Sequence, residues 1–217
     1  MALQLFAHPF SSYCQKALIA LYENAIPFEM RMLDNAGAMA ELASLWPLRK
    51  MPVLVDAERT VVEASIIIEH LGLHHPGPVR LIPGDPDAAL VVRTLDRVFD
   101  NYVHTPMQRI VADCMRAPDE RDARGVADAR ATLDDAYRWL DATMASRTWA
   151  AGEAFSLADC AAAPALFYAD WVHPITDTSP NLIAYRKRLL SRPSVARAVD
   201  EARPFRPLFP PGAPDRD

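Results

Sequence analysis

The chain has no block of basic residues, no apolar stretch long enough to cross a bilayer, and only three cysteines among 217 residues. Each shortage closes off a class of function. With 23 Lys and Arg against 28 Asp and Glu, and a formal charge of -5, nothing gathers positive charge against phosphates. Nucleic acid and anionic membrane surfaces are therefore not expected partners. Ile66-Ile67-Ile68 is broken at once by Glu69 and His70, far short of the roughly 20 apolar residues a spanning helix needs. The opening Met1-Ala2-Leu3-Gln4-Leu5-Phe6 has no basic segment and no cleavage pattern, so no secretion signal is expected. Cys14, Cys114 and Cys160 cannot build a disulfide framework and suit a reducing compartment, which makes a cytoplasmic location the expectation. What remains is ordinary for a globular chain, 51% hydrophobic and 24% charged, with length enough to bury a real core.

The first part of the chain alternates strand and helix signals. Leu3 to Ala7 is a short apolar strand stopping at His8-Pro9. Cys14, Ala17, Leu18 and Leu21 recur at helical spacing. Phe28, Met30 and Met32 then alternate with Glu29 and Arg31, the two-residue period of a strand. A helix from Ala36 to Trp46 ends at Pro47; Val53 to Val62 reads as a hairpin; Ala64 to Leu73 is a third helix. The order is βαβαββα, a small α/β sandwich. A Pro/Gly-rich connection over 78–86 separates it, as domain 1–77, from 87–217, which shows no strand. There Asp87 to Asp113 is expected as one long helix kinked at Pro106, and Leu133, Tyr137, Leu140 and Met144 mark a second. Shorter helices begin near Ser156, Pro180 and Pro193, and the proline-rich end is expected as an extended tail.

Chemistry concentrates where the first strand feeds the first helix. Ser11-Ser12-Tyr13-Cys14 places hydroxyls and a thiol at a helix N-terminus, whose free N–H groups and positive dipole end stabilise an anion. Serine is also a favoured N-cap without any further role. A free thiol of pKa about 8.5 is mostly protonated at neutral pH; lowering it by two units takes about 2.7 kcal/mol, within reach of charge-assisted hydrogen bonds. Downstream, Met51-Pro52-Val53 sets a proline at the start of a strand, a place for a turn that is often cis. Such a bond would leave the Met51 backbone to pair with an extended peptide, beside the ammonium of Lys50. Glu63-Ala64-Ser65 opens the third helix, a second anion site. A peptide with a thiol in its middle and carboxylates at its ends would touch all three places.

Together with Phe155-Ser156-Leu157-Ala158-Asp159, a capping box preceded by a staple residue, these motifs on a βαβαββα domain resemble the glutathione S-transferase family. The resemblance runs to about Phe205 and implies an α/β thioredoxin-like N-terminal domain followed by an all-α helical-bundle C-terminal domain. It implies a serine-type enzyme similar to the theta, zeta and phi classes. Ser11 would activate the thiol of glutathione for attack on a hydrophobic electrophilic small molecule, with detoxification as the setting and a homodimer as the assembly. Ser12, Lys50, Met51, Pro52, Glu63, Ala64 and Ser65 would hold the glutathione; Ala64 stands where the family usually has serine, so one hydroxyl is missing. Tyr102, Met107, Arg109, Tyr168 and Trp171 would wall the second substrate, with Arg206 able to close it, although interhelical packing serves each as well. Cys14 matches the second cysteine of a glutaredoxin-like motif. It reads as a core residue, or as a residual exchange thiol. The alternatives are a glutathione-dependent isomerase or thiol-disulfide exchanger, and a non-catalytic scaffold of the same fold. His70 and His74 stand four apart, but no carboxylate or third ligand joins them in the sequence, so no metal is expected.

Overall fold

The computed structural model describes residues 3–217; Met1 and Ala2, on which the reading of the leader partly rests, lie outside them. The strands are β1 (Leu3–Ala7), β2 (Phe28–Met32), β3 (Val53–Asp56) and β4 (Arg59–Val62), and the helices between and after them α1 (Ser12–Glu23), α2 (Ala36–Leu45) and α3 (Ala64–His74). The sheet runs β2-β1-β3-β4, with β1 parallel to β2 and antiparallel to β3, which is antiparallel to β4. Alternation along β1 assigns its two faces. Leu3, Leu5 and Ala7 pack with Leu18, Leu21 and Ile67 beneath α1 and α3, while Phe6 turns the other way onto Leu42 of α2.

The second half is helical: α4 (Pro86–Val98), α5 (Thr105–Cys114), α6 (Ala123–Met144), α7 (Leu157–Val172), α8 (Pro180–Ser191) and α9 (Pro193–Ala202). Helix α7 is buried from Leu157 to Trp171 and forms the centre of the larger core. Its start is held by Asp159, whose buried carboxylate accepts from the N–H and hydroxyl of Ser156, from the Ala150 N–H and from the Tyr185 hydroxyl.

Two expectations are corrected. The long kinked helix is instead α4, a π-helical turn at Phe99–His104, and α5. Pro106 has no N–H to give the preceding turn and its ring crowds it; the backbone widens there, and Thr105 bonds back to the Asp100 carbonyl. The tail is not simply extended either. Arg203–Leu208 winds into a 3-10 turn, which proline φ angles tolerate, and Phe209 then packs on Phe10 and Trp171.

The connection between halves is fastened rather than loose. The Asn24 side chain accepts from the Val79 N–H at 2.8 Å and donates to its carbonyl at 3.0 Å. Leu157 N–H bonds the Leu81 carbonyl.

Candidate functional site

Ser11 caps α1. Its backbone is extended (φ -81°, ψ 122°), and its Oγ accepts from the Cys14 N–H at 3.4 Å. The loop before it is pinned by Gln15, whose amide donates to the Pro9 carbonyl and the Tyr168 hydroxyl, and by Tyr168, which donates to the Phe10 carbonyl. Ser11 is only half-buried, so the hydroxyl sits on a fixed backbone at an open position.

Its neighbours turn inward. Ser12 is buried with Oγ 2.5 Å from His104 Nε2, in the π-helical turn 92 residues away. Burial, reinforced by the Lys16 charge, pushes the His104 pKa down to about 3, so its imidazole is neutral at physiological pH. The half-buried Tyr13 lays its ring edge-on to His104, and burial with the nearby Asp100 charge raises its phenol to about 12. Cys14 is fully buried, and that burial raises its thiol to about 11, against the opposing hydrogen bond from Ser11. At pH 7 its thiolate fraction is about one in ten thousand. Iodoacetamide applied to the folded protein should therefore spare Cys14 and label the half-exposed Cys114 first, as peptide mass mapping would read; early labelling of Cys14 would contradict its placement.

One turn along from Ser12 on the same face, Lys16 is 1% exposed. Its ammonium lies 2.5 Å from Asp96 Oδ1, 2.8 Å from Asp100 Oδ2 and 2.9 Å from Ser65 Oγ. Arg97, half-exposed, closes the cluster with bonds to Asp96, Asp100 and Ser65. Burial lifts the Asp100 carboxyl above its usual range, against the pull of Lys16 and Arg97. Sequence reasoning missed Lys16 and His104. The available signal was Asp96 and Asp100, two carboxylates four apart on an otherwise apolar helix face, which require a cation.

The remaining residues lie along β3 and α3. The Met51-Pro52 peptide is cis, and Lys50 is exposed next to it. Glu63 adopts φ 70°, a left-handed conformation costing about 1–3 kcal/mol for a non-glycine residue. Its carboxylate is exposed, and among the described residues no side chain caps the first turn of α3. Ala64 offers only its backbone there. The Ser65 hydroxyl is committed to Lys16, Asp96 and Arg97, leaving its N–H to that turn. An uncapped helix start beside Arg97 is well suited to a carboxylate.

The five residues expected around a second substrate divide. Met107, Tyr168 and Trp171 are buried, with Phe209 packed on both aromatic rings and the Arg206 guanidinium over Trp171. Tyr102 and Arg109 are exposed. Phe205 stands edge-on to His8 near the mouth of α1, so the tail borders the Ser11 loop.

A βαβαββα sheet with a hydroxyl-capped first helix, docked through buried charges on an all-helical half, defines a thioredoxin-like domain joined to a helical one. The sequence places it further. The family model for the glutathione S-transferase N-terminal domain matches residues 5–79 and that for the C-terminal domain matches 103–193. The chain is similar to a glutathione S-transferase from Methylobacterium radiotolerans solved in complex with glutathione sulfonate, at 30% identity and TM-score 0.79, covering 92% of this chain and 95% of that one. It is 28% identical to glutathione S-transferase 4 of Zea mays over 91% of this chain and 92% of the maize protein. It is also 25% identical to a stringent starvation protein A homolog of Coxiella burnetii, over 91% of each chain. The chain belongs to the glutathione S-transferase family.

Proposed function

We propose that the protein is a glutathione transferase in which Ser11 holds the ionised thiol of glutathione for attack on an electrophilic small molecule. The observation that carries this reading is the hydrogen-bond state of Ser11. Its oxygen accepts from the Cys14 N–H at the positive end of α1, and the hydroxyl stays half-exposed, with a proton that an incoming thiolate takes in preference to the protonated Cys14 thiol. The cysteinyl unit pairs with the Met51 backbone, Lys50 meets the glycyl carboxylate, and Glu63 faces the amino group of the γ-glutamyl end. That end's carboxylate takes the N–H groups of Ala64 and Ser65, beside Arg97. The thiolate sulfur then forms a bond to the electrophilic carbon, either expelling a leaving group or adding across a double bond that afterwards takes up a proton. The electrophile sits over Ser11, between the α1 loop, α5 and the tail, with Tyr102 and Arg109 at its rim.

The buried, protonated Cys14 weighs against thiol-disulfide exchange. The assembly we infer is a homodimer, because Ile66 and Leu73 of α3 and Leu90 and Val91 of α4 leave large apolar side chains exposed on adjoining elements. A scaffold reading draws on one observation: Ala64 lacks a hydroxyl and that of Ser65 is already engaged. Calorimetric titration with glutathione separates the two. Saturable binding at or below about 1 mM, the upper end of ordinary enzyme affinities, is expected, weakened at least about tenfold by Glu63→Ala; no heat at about ten times that concentration would leave only the scaffold.

A further inference from the structure

At the opposite end of α3 from Glu63, three metal-binding side chains converge. His70 Nε2 lies 2.9 Å and His75 Nε2 2.8 Å from the same oxygen, Asp56 Oδ2, and the three candidate ligand atoms fall within 4.8 Å of one another. We propose that Asp56, His70 and His75 bind a divalent transition-metal ion of the zinc type, clipping the β3–β4 turn to the end of α3.

The local fold explains the convergence. On a continuing α-helix, residues five apart point about 140° away from each other, so His70 and His75 could not share a ligand. Helix α3 stops at His74; His75 leaves it at φ -133°, ψ 56°, with its N–H on the Leu71 carbonyl, and its ring swings back across the helix end. Asp56 is the last residue of β3 and reaches the same point from the sheet. His74, which the sequence spacing pairs with His70, is not part of the set: its Nε2 lies 3.1 Å from an Arg59 Nη1. That contact keeps Arg59 with His74, and among the described residues the Asp56 carboxylate has ion pairs with the two imidazoles alone.

Two neutral imidazoles and one carboxylate are borderline nitrogen and oxygen donors suited to zinc, nickel or copper, and the ligand number fits a tetrahedral ion with one water. Bonds of about 2.0–2.1 Å put tetrahedral ligands about 3.4 Å apart. The pairs now at 2.8–2.9 Å need to open by roughly half an ångström, and the partly exposed His75 and Asp56 are free to do so. Their exposure also leaves a path from solvent. Helix α3 spans 11 residues, so this cluster lies about 16 Å from the helix start. Its occupancy is independent of the glutathione reading and is tested without it.

The test uses full-length protein without an affinity tag, titrated with zinc by calorimetry and with cobalt by visible absorption. One ion per chain is expected, with the intense cobalt bands of a tetrahedral site and a melting temperature raised by about 5 °C at a hundredfold excess over Kd. His75→Ala should weaken binding at least about a hundredfold, while His74→Ala retains it. His75 is half-exposed, so its removal leaves the fold intact and circular dichroism checks that. Absence of both heat and cobalt bands overturns the proposal. So does a His75→Ala variant that titrates like the parent, or loss of binding in His74→Ala alone.

Discussion

Ser11→Ala should raise the pKa of bound glutathione's thiol from about 6.5 to about 8.5, the value of a free thiol, and so cut its thiolate fraction at pH 6.5 about fiftyfold. The shift corresponds to about 2.7 kcal/mol, which one hydrogen bond to an anion plus its helix end can supply. Ultraviolet thiolate absorbance reads the titration directly. The conjugation rate falls in the same direction but by less, because a more basic thiolate is a better nucleophile. The sign with pH is definite: the defect is large at pH 6.5 and shrinks towards pH 8.5, where half the thiol ionises unaided. By linkage the same two units weaken glutathione affinity about twofold at pH 6.5 and about fiftyfold at pH 8.5, the loss growing as thiolate becomes the bound form. A thiol pKa that is the same in Ser11→Ala and parent would remove Ser11 from the chemistry.

The second large effect is on stability. Lys16→Met keeps the length and apolar stem of the side chain but leaves Asp96 and Asp100 facing each other without the buried ammonium. Breaking such a cluster from one side costs about 3–5 kcal/mol, which lowers the melting temperature of a chain of this size by about 10 °C. The double variant Lys16→Met, Asp96→Asn should recover most of it, because the charge and its counter-charge leave together. Asp100 adds a pH signature. Its folded-state pKa is already raised, chiefly by burial, so its share of stability is present at low pH and lost as pH rises through that pKa. Without Lys16 that pKa rises further, and the variant's deficit should be smaller at pH 5 than at pH 8. A loss below about 1 kcal/mol in denaturant unfolding at pH 8 would mean that the cluster is solvated.

Much of the fold was legible because it is written locally. The two-residue alternation of β2, the helical spacing in α1 and the box at Ser156 each specify their own element within a dozen residues. Ser11 was legible as a cap for the same reason. What stayed hidden depends on long-range placement. Lys16 looks like a solvent-facing residue on an amphipathic helix until Asp100, 84 residues later, is packed against it. His104 is an isolated histidine until the π-helical turn presents it to Ser12. His70 and His74 keep the period of a helix, with rings 4.4 Å apart, whereas Asp56 meets His70 and His75, and His75 is the first residue past the helix end. The tail is hidden in another way: proline forbids the α-helix interior yet permits the 3-10 turn at Arg203–Leu208.

The buried cluster around Lys16 also decides whether the two halves are separable parts. The two family models leave residues 80–102 between them, and Asp96 and Asp100 lie in that interval. The ammonium belongs to the α/β half and its two carboxylates to α4 and the π-helical turn that open the helical half. Excised alone, the first half would present an ammonium set in an apolar face and the second a pair of carboxylates with only Arg97 against them. Neither is a portable module, and a chimera that borrows one half from a relative inherits a charge it must also match.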